Sequence, residues 1–105
     1  VAWATFGTLC EEPRSAADYV EMAREYHTVL IEQIPLLDSD KEDAARRFIN
    51  LVDEFYDRNV KLIATAAQPP EALYLGSRLR FEFDRTVSRL QEMRSQEYLK
   101  AEHRP

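Results

Sequence analysis

The chain has 105 residues, 14 Lys and Arg against 19 Asp and Glu, and a formal net charge of −5; 45% of it is hydrophobic and 31% charged. That is enough for one packed core and too little for two, and the composition is globular rather than disordered. The acidic balance argues against a module whose main work is to neutralise a phosphate backbone, and no apolar run approaches the ~20 residues of a membrane-spanning helix.

Val1–Phe6 (VAWATF) reads as a short extended segment. The chain opens on it without a Met, which points to a piece of a longer protein, although a processed N-terminus would look the same. Pro13-Arg14 marks a turn, and Ser15-Ala16-Ala17-Asp18 resembles a helix start, with a hydroxyl at the cap and an acid in the first turn. Tyr19, Val20, Ala23 and Tyr26 give the helix a modest apolar stripe. Thr28–Ile34 (TVLIEQI) is rich in β-branched residues and stops at Pro35, so it predicts a strand.

Ser39-x-x-Glu42 has the pattern of a capping box. Behind it Ala44, Phe48, Leu51, Val52 and Phe55 recur with helical period, and Ala45, Ile49 and Tyr56 widen that face. Arg58-Asn59 is the expected exit, because Asn tolerates the left-handed cap conformation. Val60–Ala66 (VKLIATA) predicts another strand, ended by Gln68-Pro69-Pro70, and Gly76 marks a further turn. Leu79, Phe81 and Phe83 alternate and read as extended, whereas Val87, Leu90 and Met93, with Tyr98 beyond, predict a final helix from about Asp84.

These elements predict an α/β fold over residues 1–105 as a single domain. It is a small βαβαβ layer with a short, mainly parallel three-stranded sheet, flanking helices and a C-terminal helix, its crossovers right-handed. Phe48, Leu51, Val52, Phe55, Leu62 and Ile63 are the expected core between the long helix and the sheet. Trp3, Phe6, Phe81 and Phe83 read as core or inter-domain packing rather than a base-stacking platform, given the acidic charge.

Catalytic signatures are sparse. Apolar residues followed by Asp53-Glu54 imitate a Walker B motif, but the stretch keeps helical period, and a strand there would leave too little chain for a parallel crossover before Val60. The chain contains no GxxxxGK[ST] and only two glycines, Gly7 and Gly76, so it holds no Gly-rich phosphate cradle. Cys10 is the single cysteine, which excludes an internal disulfide, fits a reducing compartment and reads as a small buried residue. His27 and His103 lack metal-ligand spacing, so no metal site is expected.

Arg85 and Arg89 are the leading candidates for function. At i, i+4 they share a helix face, where like charges repel and an outside anion would relieve the repulsion. The competing reading is local, with Glu82–Arg85 and Arg89–Glu92 pairing at i, i+3 on the surface. Arg46 and Arg47 read as solvated surface, and Arg14 as an exposed turn residue placed to meet another domain.

Two phrases carry a resemblance: ARRFINLVDEFYDRNVKLIATAAQPPEALY at Ala45–Tyr74 and FEFDRTVSRLQEM at Phe81–Met93, with Leu9-Cys10, Pro13-Arg14-Ser15 and Asp18-Tyr19 upstream. Together they resemble the C-terminal region of the ZapE family, cell-division-associated P-loop (AAA+-like) ATPases related to mitochondrial Afg-type ATPases. The resemblance implies an N-terminal ATP-binding core that this chain lacks, with ATP and Mg bound by the full-length protein and no cofactor held by these residues alone. It implies action on the tubulin-like protein FtsZ of the division ring, a bacterial cytoplasmic setting and a parent protein able to form a homo-oligomer. Arg85 and Arg89 become candidate phosphate-sensing arginines of the full-length protein, with no catalytic residue in this chain alone. The alternative is a free-standing protein-interaction domain with no nucleotide role, and the sequence preceding Val1 in the gene separates the two.

Overall fold

A computed structural model describes all 105 residues. Three strands, β1 (Ala2–Thr5), β2 (Thr28–Ile34) and β3 (Lys61–Ala66), form one sheet in the order β1-β2-β3, both pairs parallel. Helix α1 (Ala16–Glu25) connects the first pair and the long helix α2 (Glu42–Asp57) the second. Helices α3 (Arg80–Glu92) and α4 (Gln96–Lys100) complete the chain. The βαβαβ layer expected from the sequence is the observed architecture.

Local chemistry sets most of the element ends. The Asp18 carboxylate accepts the Ser15 N–H at 2.9 Å, which closes the first turn of α1. Asn59, just beyond α2, has φ 55°, the left-handed conformation that lets the chain reverse into β3. The expected capping box at Ser39 does not form. The Asp38 carboxylate instead accepts the Asp40 N–H at 3.0 Å and starts a 3-10 turn over Ser39–Lys41, which leaves Glu42 free for another task. Gln33, at φ 63°, marks an irregularity in β2, where the register to β3 shifts between Ile31 and Ile34.

Both crossovers step in the same direction along the sheet, so their shared right-handedness puts α1 and α2 on one face. Val29 and Ile31 of β2 are fully buried beneath them, as are Phe48, Leu51, Val52 and Phe55 of α2. An aromatic run ties the layers together: Phe6 to Phe48 at 5.8 Å between ring centroids, Phe48 to Phe83 at 6.2 Å, and Phe83 to Tyr74 at 5.0 Å.

Several expectations are corrected. Ile63 is 55% exposed and outside the core, because it alternates with Leu62 and points to the sheet face that no helix covers. Of the aromatics expected in the core or at an inter-domain contact, Phe6 and Phe83 are buried, whereas Trp3 is 71% exposed on that same face and Phe81 82% exposed on α3, outside the core of this domain. The alternation of Leu79, Phe81 and Phe83 does not make a strand: α3 already begins at Arg80, with Phe83 turned into the core. The C-terminal residues are tied to the rest of the fold. The Arg104 N–H donates to the Arg58 carbonyl at 2.8 Å, and the His103 Nε2 meets the Ala23 carbonyl.

Candidate functional site

Helices α2 and α3 pack side by side, and a cluster of charges closes the seam between them. The Asp53 carboxylate of α2 sits between two arginines of α3. Arg89 Nη1 reaches Asp53 Oδ1 directly, and Arg85 Nη2 lies 3.7 Å from Asp53 Oδ2. The Arg89 guanidinium also lies over the Tyr56 ring, 5.1 Å from its centroid. Tyr56 in turn donates its hydroxyl to Glu92 Oε2 at 2.7 Å, a bond that pushes the hydroxyl's pKa up because the phenolate cannot donate.

The structure thus brings Arg85 and Arg89 together on one helix face but replaces their expected partners. Glu82 pairs with Arg46 of α2 at 3.3 Å, and Glu92 is held by Tyr56. The i, i+3 scheme fails because α2 offers a base (Arg46), an acid (Asp53) and a phenol (Tyr56) at the seam that serve the same groups across the interface. Asp53 and Tyr56, one helical turn apart on α2, are the neighbours of the arginine pair that sequence reasoning missed. Their shared spacing was legible, but the face α3 would present to them was not.

The two arginines differ in freedom. Arg89 is 26% exposed and engaged by both Asp53 and Tyr56. Arg85 is 54% exposed and makes only the longer contact. The remaining candidates are spoken for: Arg47 donates to the Cys10 carbonyl at 3.0 Å, which corrects its assignment to the solvated surface, and Arg14 donates to the Thr8 carbonyl at 2.8 Å. Asp53 and Glu54 lie within α2, not at the end of a strand, and Glu54 pairs with Arg58 at 3.2 Å. They are partnered helical acids rather than freely solvated ones.

A second polar centre lies at the start of α2. Glu42 accepts the Tyr74 hydroxyl at 2.6 Å on one oxygen and the Arg78 N–H at 3.1 Å on the other. The Leu79 N–H donates back to the Tyr74 hydroxyl at 2.8 Å, and the Arg80 guanidinium covers the Tyr74 ring at 4.9 Å. Burial, then the bond to Glu42, raises the pKa of Tyr74. Bonds between Leu37 and the Leu73 carbonyl, and between Leu75 and the Leu37 carbonyl, hold this segment against the end of β2.

The residues present do not form a site for Mg-ATP on their own. Gly76, which would have to serve a phosphate-binding loop, is packed against Glu42 and Tyr74, and Asp53 is matched by two arginines rather than open to a cation. At the carboxyl ends of β2 and β3 lies a groove of about 400 Å³, lined mainly by apolar side chains such as Ile34, Leu73, Leu90 and Met93. Arg94 borders it, while Arg85 and Arg89 do not. The ligand crevice usual at strand ends is therefore separate from the arginine pair here.

The profile of the AFG1-like ATPase family matches residues 1–102. The cell division protein ZapE of Escherichia coli K12 is 52% identical over 99 residues, covering 94% of this chain and 26% of that protein. An uncharacterized protein of Schizosaccharomyces pombe is 43% identical over 70% of the chain and 16% of its own length. Lactation elevated protein 1 homolog B of Danio rerio is 34% identical over 93% of the chain and 26% of its own length. No solved structure matches. The chain spans about a quarter of the length of the first of these relatives. With its profile matched over nearly every residue, the chain belongs to the AFG1-like ATPase family.

Proposed function

We propose that these 105 residues are the C-terminal module of a longer P-loop ATPase, and that Arg85 faces the nucleotide or a neighbouring subunit in the assembled protein. The observation that carries this reading is the unequal engagement of two adjacent arginines. Asp53 and Tyr56 immobilise Arg89, while Arg85 extends half-exposed from the same helix face with one loose contact. Arg89 and Asp53 act as a brace that fixes the direction of the helix, and Arg85 is the group left to meet an outside anion. A guanidinium fork suits phosphate oxygens.

The family match supports nucleotide use by the full protein, and the chain's small share of its relatives' length supports a phosphate loop located elsewhere. On this reading ATP and Mg²⁺ are held by an N-terminal core, and this module completes or regulates that core. The resemblance to a cell division protein extends the proposal to action on the FtsZ ring in the bacterial cytoplasm, with the parent protein forming a homo-oligomer.

The test is made on the full-length protein. Arg85→Ala is expected to lower kcat by orders of magnitude while folding stays normal, as loss of a charge-stabilising arginine does elsewhere (about 10³–10⁵). If Arg85 serves a neighbouring subunit, mixing the variant with a protein lacking the phosphate-loop lysine restores part of the activity. Near-normal kcat in Arg85→Ala would overturn the nucleotide role of that residue. It would favour the second reading, a protein-interaction module with no nucleotide role.

A further inference from the structure

We propose that the open face of the sheet, centred on Trp3, Leu30 and Ile63, is an intramolecular docking surface. Its occupant is an amphipathic helix from the rest of the family chain. The inference rests on the reading of these residues as one module of a longer protein, and it concerns a surface remote from the arginine cluster.

Topology comes first. Because α1 and α2 lie on the same side of the sheet, the other side is left to solvent. Purely parallel sheets are ordinarily buried on both faces, and their strands are apolar for that reason. Here the second face keeps the apolar residues without the cover. Trp3 pairs with Leu30 and Leu30 with Ile63 across the three strands, so the three side chains form one straight row. Trp3 is 71% exposed and Ile63 55%. Neighbouring strands lie about 4.8 Å apart, so the row is about 10 Å across, which matches the width of one helix.

The rows on either side carry polar residues, apart from the exposed Val1 at the β1 end of one of them. Thr28 and Lys61 are register partners one step before the apolar row on this face, and Thr5 and Glu32 are partners one step after it. An apolar centre with a large aromatic residue and a polar rim is the anatomy of a specific interface rather than of a solvent-facing sheet. The rim also carries a sign: Lys61 at one end and Glu32 at the other select a helix that presents an acid near Lys61 and a base near Glu32.

What identifies the occupant is chain length. The matched stretch is 26% of the bacterial relative, so most of such a protein lies outside this fold and is available, tethered, to cover it. Tethering raises the effective concentration enough for a patch this small to be occupied.

The experiment labels single cysteines in the purified full-length protein. Ile63→Cys, with Trp3→Cys as a second position in case the first variant folds poorly, is alkylated with a maleimide beside Glu21→Cys on the exposed side of α1. Rates are read peptide by peptide by mass spectrometry. The sheet-face cysteines are expected to react at least about tenfold more slowly than the Glu21→Cys thiol, independent of protein concentration. Equal rates would overturn the proposal. Protection that vanishes on dilution would also overturn it, in favour of a second copy of the chain as occupant. The readout needs no nucleotide, so a protein with no ATPase activity but a protected Ile63→Cys thiol would sink the catalytic reading and leave this one intact.

Discussion

Arg89 on α3 and Asp53 on α2 form the ion pair that joins the two helices across their seam. Charge-assisted hydrogen bonds of this kind are stronger than neutral ones, and the Tyr56 ring beneath the guanidinium adds a cation–π contact. Arg85 touches the same carboxylate from farther away and from a more exposed position.

Arg89→Ala should therefore cost about 1–3 kcal/mol in urea unfolding, and Arg85→Ala under about 1 kcal/mol. Arg89→Lys should recover only part of the loss, since an ammonium neither stacks nor forks like a guanidinium. Equal small losses for both alanine variants would show that the seam pair is no more than a screened surface contact.

Gly76 is required by a close approach. A Cβ placed there would lie 2.5 Å from Glu42 Oε1 and 2.7 Å from the Tyr74 hydroxyl oxygen, so Gly76→Ala must push apart the hydrogen bond that fixes the start of α3. The expected cost is about 1–3 kcal/mol. Adding Glu42→Ala removes the obstructing carboxylate, so the double variant should lose less than the sum of the two singles. Strict additivity in the unfolding midpoints would mean that the loop moves away without resistance.

The sequence made the layer order legible because each element carries its own period. α2 shows apolar residues at helical spacing, β2 and β3 are β-branched and end near prolines, and Asn59 announces the reversal between them. Orientation was less legible. Leu62 and Ile63 look alike in composition, but β3 is an edge strand of a sheet covered on one side, and a one-residue step decides which of them points to helices. Phe81 and Phe83 posed the same question at a helix start, where Arg80 already belongs to the helix. At the arginine cluster the sequence showed that Arg85 and Arg89 share a helix face but not their anchor, because Asp53 and Arg89 are 36 residues apart and meet only through the packing of α2 on α3.

That difference between Leu62's neighbours in the core and Ile63 outside it can be measured. Phe55 is fully buried, so Phe55→Ala should cost about 3–5 kcal/mol, and Leu51→Ala about 2–5 kcal/mol. Ile63→Ala in the 105-residue chain should cost under about 1 kcal/mol. A large loss at Ile63 would mean that the open face is covered in this chain after all, and a loss below about 1 kcal/mol at both Phe55 and Leu51 would place α2 outside the core.

The most buried titratable groups predict how the fold fails in alkali. Cys10 is fully buried, and burial pushes its thiol from the ordinary 9.0 up to about 12. Beside it Tyr19, also buried, donates its hydroxyl to the Leu9 carbonyl at 2.7 Å, and its pKa is likewise raised, first by burial. In the unfolded chain the thiol loses its proton near its ordinary value, whereas in the folded chain it keeps it until about 12. Between those values the native state binds more protons than the unfolded state, so each step up in pH favours unfolding, by as much as about 1.4 kcal/mol per pH unit for one group. Stability should therefore hold level at neutral pH, where neither state is deprotonated, and fall once pH passes the ordinary thiol value. Urea titrations from neutral to strongly alkaline pH check this, and Cys10→Ala should fall less steeply than the parent because one of the linked groups is gone. At pH 8 the Cys10 thiol of the folded protein should resist alkylation for the same reason, since burial withholds the thiolate that reacts. Parallel pH slopes for the parent and Cys10→Ala, together with rapid alkylation at pH 8, would show that Cys10 is neither sealed nor linked to folding.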